Sequence, residues 1–424
     1  MIDHLDTIRK AYPVRWRTRR IKYALANDRP YRMEDGSTEV SFCPMSAIGD
    51  KGELDTTFVK SSSAISNGYT RFENGDVIVA KITPCFENGK GALARNLING
   101  IGYGTTELFV LRAGSNLDAR FLYYATVSRL FRGYGEAFMT GAAGQKRVPS
   151  EFAFDFPLGF PHLSEQAAIA DYLDRETARI DELVAEKEKM LALLEEKRNA
   201  LVTRAVTRGL DPNAKMKDSG VEWLGEIPAA WQIRRVAFLF IERDERNEPN
   251  LPLLNVSLNT GVTVREFSED RIERTAEDFT TYKVARMGDV AFNKMRMWQG
   301  AVGIAPVDGL VSPDYVVAKP GPDVWPDYFG YLLRIPPFGA EAARRSHGIV
   351  WDRLRLYWDD FRDMRVPLPP LAEQRAIVEA LSAELAEARE LETALKESIG
   401  LLSERRAALI TAAVTGQIDV PGMN

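Results

Sequence analysis

The sequence predicts an α+β protein in which two mixed strand-and-helix domains are separated by two long coiled-coil helices, one half of the chain duplicating the other. Three observations carry this prediction. First, Leu163-Ser164-Glu165-Gln166-Ala167-Ala168-Ile169 returns as Leu371-Ala372-Glu373-Gln374-Arg375-Ala376-Ile377. The match runs without a gap to Leu201-Val202-Thr203 and Leu409-Ile410-Thr411 and just beyond. There ~21 of ~49 aligned positions are identical, which marks a copied segment with a period of ~208 residues. Second, both copies carry the seven-residue apolar spacing of a coiled coil. Third, short apolar runs entered through Gly-Asp turns precede each copy at corresponding places and read as strands.

Each element follows from its residues. Pro13-Val14-Arg15-Trp16 with Arg19-Arg20-Ile21 opens the first half and is echoed by Pro228-Ala229-Ala230-Trp231 with Arg234-Arg235-Val236. Gly75-Asp76 introduces a strand over Val77 to Ile82, and Gly288-Asp289 one over Val290 to Phe292. Thr105 to Val110 and Ser312 to Val317 are a second matched pair of strands, and residues 118–131 and 327–334 are predicted helices. Residues 164–207 form one long helix: glycine and proline are absent, Ser164 suits the N-cap, and Gly209 and Pro212 follow the end. At 1.5 Å per residue it spans roughly 65 Å. Its apolar seam is Leu173, Ile180, Leu194 and Leu201, broken by Lys187. The second helix, 372–415, repeats the seam as Leu381, Leu395, Leu402 and Leu409 and contains Gly400. Two matched seams in one chain predict that the helices pair with each other. The domain limits are accordingly 1–160, 161–212 for the first helix, 213–368, and 369–424 for the second helix.

Composition excludes several classes. At 424 residues, 45% hydrophobic and 27% charged, the chain has the balance of a soluble globular protein with more than one core. Its apolar runs fall far short of the ~18 residues of a membrane span, and the N-terminus lacks the apolar core of a signal peptide. A cytoplasmic location follows, with Cys43 and Cys85 as free thiols. The net charge of −5 is concentrated. Residues 164–198 carry about −4 and residues 372–406 about −3, leaving the rest near +2, while the first 32 residues are locally basic. The helices are therefore not the surface that meets a polyanion, and the domains are free to do so.

Catalytic signatures are missing. His4, His162, His347 and the two cysteines have no metal-ligand spacing, so no metal is expected. No phosphate-binding glycine loop occurs; Asn88-Gly89-Lys90-Gly91 is a turn with a lysine. Ile335-Pro336-Pro337-Phe338 looks like an amino-methyltransferase loop but lacks the Asn or Asp that would hold the target amine. What remains is a binding inventory at matched places. Lys81, Thr83, Asn88 and Lys90 follow the first Gly-Asp strand; Lys294, Arg296, Trp298 and Gln299 follow the second. Gln145, Lys146 and Arg147 precede the first helix, and Arg344, Arg345, His347 and Arg353 the second. Arg, Lys, Asn and Gln read base edges and hold phosphates, so these are candidate DNA-binding residues.

Three segments resemble the specificity (S) subunits of type I restriction–modification systems. Lys217-Asp218-Ser219-Gly220-Val221-Glu222-Trp223-Leu224-Gly225-Glu226-Ile227-Pro228 through Trp231 looks like the linker that opens their second half. Asn293 to Ala301 looks like a recurrent target-recognition segment, and Pro367 to Gln374 like the opening of their long helix. The resemblance covers nearly the whole chain. It implies two mixed α/β target-recognition domains, each reading half of a bipartite double-stranded DNA site, and two antiparallel helices related by a pseudo-twofold that fix the gap. It implies a non-catalytic chain without its own cofactor. Two modification subunits carrying S-adenosylmethionine would dock on it and methylate an adenine in each half-site, and restriction subunits using ATP and Mg would join. Alternatives are a methylation-only or other phage-defence methyltransferase complex, or a structural coiled-coil adaptor. Two departures stand out. Gly159-Phe160-Pro161-His162 replaces a proline-rich opening at the first helix, and Gly400 weakens the second by roughly 1 kcal/mol relative to Ala.

Overall fold

A computed structural model describes residues 7–26, 35–65, 68–142, 144–265, 279–348 and 354–421. It divides into two compact units, Met1–Lys187 with Lys396–Asn424, and Glu188–Leu395. The boundary falls inside both long helices, Leu163–Arg208 and Leu371–Val414.

In the first unit, Trp16 N–H closes a turn onto Pro13 O at 2.9 Å and delivers the chain into strand Arg17–Arg20, which pairs antiparallel with Pro157–Phe160. Gly159 in that partner strand is required by packing: a Cβ there would sit 2.5 Å from the Tyr12 ring. The Gly-Asp strand, Asp76–Ala80, lies between Gly91–Leu93 and Leu108–Arg112, both antiparallel to it. Its side chains alternate as a two-faced strand demands. Val77 and Val79 join the aromatic core of Phe86, Phe109, Phe121 and Phe131, while Ile78 and Ala80 face Cys43, Phe72 and Leu108. A second sheet orders Val59–Ser61, Glu39–Cys43, Ile101–Gly104 and Thr70–Glu73, its middle pair parallel.

The second unit repeats the plan. Trp231 N–H meets Pro228 O at 2.9 Å, and strand Gln232–Arg235 pairs antiparallel with Arg365–Leu368. The Gly-Asp strand, Val290–Asn293, lies between Tyr315–Pro320 and Val302–Ile304. Val290 and Phe292 enter the main core, and Ala291 the smaller one behind the sheet. In both units the aspartate of the Gly-Asp turn is buried and paired. Asp76 accepts from Arg112 Nε and Nη2 at 2.7 Å each, and Asp289 accepts from Arg243 Nε at 2.6 Å. These carboxylates fix the start of the central strand.

The predicted helix over 118–131 is two helices, Ala119–Val127 and Arg129–Ala137. Ser128 separates them because its backbone is extended (φ −62°, ψ 148°) and its hydroxyl accepts the Phe131 N–H as an N-cap. Ile335-Pro336-Pro337-Phe338 is the start of helix Pro336–Arg345. Its prolines occupy the first helical positions, where a missing N–H costs nothing, and Phe338 is fully buried.

The long helices pair antiparallel within each unit. In the first, Ile169 and Leu173 share a core with Ile410, Ala413 and Val414, and Asp181 Oδ2 accepts from Arg406 Nε at 3.2 Å. In the second, Ala205 and Val206 meet Ile377, Leu381 and Leu385. Of the predicted seam, Leu173, Ile180, Leu381 and Leu395 are buried and Leu194, Leu201, Leu402 and Leu409 half-buried. A fully buried Leu or Ile contributes about 1.5–3 kcal/mol. The helix runs on through Gly400, where an added Cβ would meet open space.

The copied glutamine explains how each helix is held at its start. Gln166 accepts the Asp118 N–H at 2.9 Å and donates to Asn116 O and Pro161 O at 3.2 and 3.0 Å. Gln374 accepts the Trp325 N–H at 2.8 Å and donates to Asp323 O and Pro369 O, both at 2.9 Å. Each amide is buried and fully matched, so it staples the helix to its own domain.

Candidate nucleic-acid interface

The two polar groups predicted in the first half come together. Strand Asp76–Ala80 runs on to Lys81, whose carbonyl accepts the Val148 N–H at 2.8 Å, and Thr83 N–H donates to Lys146 O at 3.0 Å. The Thr140 and Arg147 backbones are joined by two hydrogen bonds, at 2.8 and 3.0 Å. Gly141 and Gly144 allow this pairing, with φ of 129° and 78°. Gln145, Lys146 and Arg147 are exposed there. Arg147 is ordered by Glu107: Nε lies 3.1 and 3.0 Å from the two carboxylate oxygens, and Nη2 donates at 2.9 Å. Those hydrogen bonds raise the Arg147 pKa further.

The neighbouring turn over 82–90 is held from below. Arg132 is buried; it donates to Thr126 O, Phe86 O, Gly89 O and Lys90 O at 2.8–3.3 Å and lies 4.6 Å from the Phe86 ring centroid. Burial pushes its guanidinium down to about 10. On that turn Asn88 is exposed, and the Thr83 hydroxyl donates to Glu87 at 2.8 Å. Lys90 turns inward, its ammonium donating to Met45 O and Ile48 O at 3.0 and 2.8 Å. Lys81 lies 5.6 Å over the Phe109 ring.

The second unit builds the same edge. Lys294 O accepts the Leu356 N–H at 2.9 Å, and His347 and Arg355 exchange backbone hydrogen bonds at 2.9 Å each. Lys294 is half-buried, 5.8 Å over the Tyr357 ring, while Arg296 and Gln299 are exposed. Trp298 packs against the main core and donates to Met295 O at 3.1 Å. His347 is exposed and 3.0 Å from Asp360. Arg344 and Arg345 both pair with Glu341 and border a polar cleft of about 520 Å³ with Gly220 to Trp223, Arg235 and Arg365. Arg353 lies outside the described residues.

Three side chains escaped the sequence reading. Arg355 stands 208 positions after Arg147, so carrying the helix alignment a little further back would have found it. Glu107 lay inside a predicted strand, but the strand begins at Leu108 and Glu107 belongs to the turn before it. Arg132 gave no signal: it lies one residue past the predicted helix over 118–131, and nothing local marks it as buried.

Among the described residues no group of three or more His, Cys, Asp or Glu is placed to hold a metal, and no helix is long and apolar enough to cross a membrane.

No family model matches the chain. Over 139 residues it is 46% identical to the specificity subunit of type I restriction enzyme EcoAI from Escherichia coli, covering 32% of this chain and 24% of that protein. It is 43% identical over 138 residues to the EcoEI specificity subunit of the same species, 32% of this chain and 23% of that one. The chain thus spans about a quarter of the length of these curated relatives. To the EcoKI specificity subunit of Escherichia coli K12 it is 23% identical over 326 residues, 73% and 68% of the two chains. Among solved structures, a chain from work on complex assembly and conformational transition of the type I R-M system superposes with a TM-score of 0.73 at 18% identity. That match covers 96% of this chain and 99% of the other. The HsdS subunit of Thermoanaerobacter tengcongensis gives 0.53 at 19% identity, 96% and 98%. The resemblance to type I specificity subunits read from residues 217–231, 293–301 and 367–374 is borne out by these likenesses, and the mixed α+β fold by the solved structures.

Proposed function

We propose that the chain is the DNA-specificity subunit of a type I restriction–modification complex, each domain reading one half of a bipartite double-stranded site. One observation carries the reading: the same polar edge is built twice. Lys81 beside the Thr140–Arg147 backbone pair and Lys294 beside the His347–Arg355 backbone pair use the same hydrogen bonding, one in each unit, and each unit contains a pair of antiparallel helix segments. A chain that reads two half-sites needs two such edges and no reaction centre of its own. The helices act as the ruler for the gap and as the dock for two modification subunits, which bring S-adenosylmethionine and methylate an adenine in each half-site. Restriction subunits, with ATP and Mg, complete the complex in the cytoplasm. The test is single-molecule methylation sequencing of cells with and without this gene. A two-part adenine-methylated motif of fixed gap should vanish with the gene; an unchanged methylome refutes the reading.

A further inference from the structure

Arg147 and Glu107 are held by rigid backbone on both sides. Arg147 is fixed by its two bonds to Thr140. Glu107 is fixed by its carbonyl, which accepts the Lys81 N–H at 3.0 Å, and by its N–H, which donates to Thr105 Oγ1 at 3.1 Å. The carboxylate takes the Nε–Nη2 edge of the guanidinium, and Nη1 has only a 3.5 Å approach to Gln145 O. The terminal Nη1–Nη2 edge is therefore the one offered outward, from a side chain 46% exposed. Two consequences follow from the chemistry. The pair is close to neutral, so it gains little from phosphate and its counterions. Yet it keeps a planar fork in a fixed plane, and such a fork matches the O6 and N7 acceptors of guanine in the major groove.

The second unit lacks this device. Asp314 occupies the place of Glu107, and no ion pair joins it to Arg355 among the described residues; Arg355 approaches the Met295 sulfur at 3.9 Å instead.

Resting on the function proposed above, we infer that Arg147, oriented and neutralised by Glu107, reads a guanine in the half-site of the first domain and is a base contact, not a phosphate contact. Glu107 is a positioning residue that suppresses sequence-blind attraction at this point of the surface. The experiment is methylation sequencing of source cells in which the chromosomal gene carries Arg147→Ala, Arg147→Lys or Glu107→Gln. Arg147→Ala and Arg147→Lys should each relax one G·C position of one half-site, its discrimination of about ten- to hundredfold falling toward one, with the other half-site and the gap unchanged. Glu107→Gln should spread methylation to other bases at that same position. If Arg147→Ala fails to accumulate, the lysine and glutamine variants carry the test. Uniformly weaker methylation with every base still required would make Arg147 a phosphate contact and overturn the inference. Absence of any two-part motif in the unaltered cells would overturn the function itself, an outcome separate from the first.

Discussion

Replacing Gln374 by Ala should destabilise the second unit by about 3 kcal/mol or more. The amide is fully buried and serves three backbone groups: the Trp325 N–H at 2.8 Å and the carbonyls of Asp323 and Pro369 at 2.9 Å. Each buried polar group left unmatched costs about 1–3 kcal/mol, and the smallest value for three groups sets the estimate. Trp325 is the residue before helix Pro326–Leu332, and its ring lies 4.5 Å beneath the Arg375 guanidinium, so the loss also loosens the join between long helix and domain. In a unit of this size 1 kcal/mol moves Tm by about 2–4 °C, which predicts a fall of roughly 6–12 °C in one transition. Calorimetry of the full chain measures it. Gln374→Glu should be at least as damaging, because a carboxylate oxygen would face two carbonyls. Gln166→Ala should produce the same loss, and the double variant should add, since the two amides share no partner. A loss under about 1 kcal/mol for Gln374→Ala would mean that water replaces the amide, and the staple argument would fail.

Three further outcomes are expected. Gly400→Ala should raise stability by about 0.5–1 kcal/mol in denaturant unfolding, since the position is helical interior with open space around the new methyl; a loss would show that the glycine is needed for a bend. Inserting seven helical residues after Lys187 and after Leu395 adds about 10.5 Å, or ~3 base pairs, to the proposed ruler. Methylome sequencing should show a longer gap between unchanged half-sites, and altered half-sites at the old gap would reject the ruler. Burial, with the Asp55 carboxylate nearby, pushes the Cys43 thiol up to about 11. Its thiolate therefore forms only as pH rises toward that value, and an alkylating agent at pH 8 should spare Cys43 until the chain unfolds; mass mapping of the adduct checks this.

The long helices were legible because heptad spacing and the near-absence of glycine and proline are local facts; the predicted 164–207 and 372–415 differ from the observed helices by one residue at each end. Gly-Asp turns were legible as strand entrances for the same reason. Their aspartates were not recognised as buried, since the arginines that match them, Arg112 and Arg243, are remote from them in sequence. The break at Ser128 was missed because helical periodicity continues across it, and only the backbone conformation shows the cap. At the candidate interface the clustering of Lys81 with Arg147 and of Lys294 with His347 could not be read from sequence, since backbone pairing between remote loops creates it. Lys90 illustrates the converse: a lysine on a polar turn reads as exposed, yet its ammonium is occupied by two carbonyls of another loop.

The boundary that falls inside both helices also dictates an order of synthesis. The first unit draws on residues 1–187 and again on 396–424, with the whole second unit encoded in between. As the chain leaves the ribosome, the first domain must wait, its Ile169 and Leu173 stripe uncovered, until Ile410, Ala413 and Val414 arrive to share that core. Thr411 then accepts the Arg129 N–H at 2.9 Å, and Val420 is buried among the same side chains as Ile8 and Trp16. A premature stop near residue 395 would therefore spare the domain translated last and leave unfinished the one translated first.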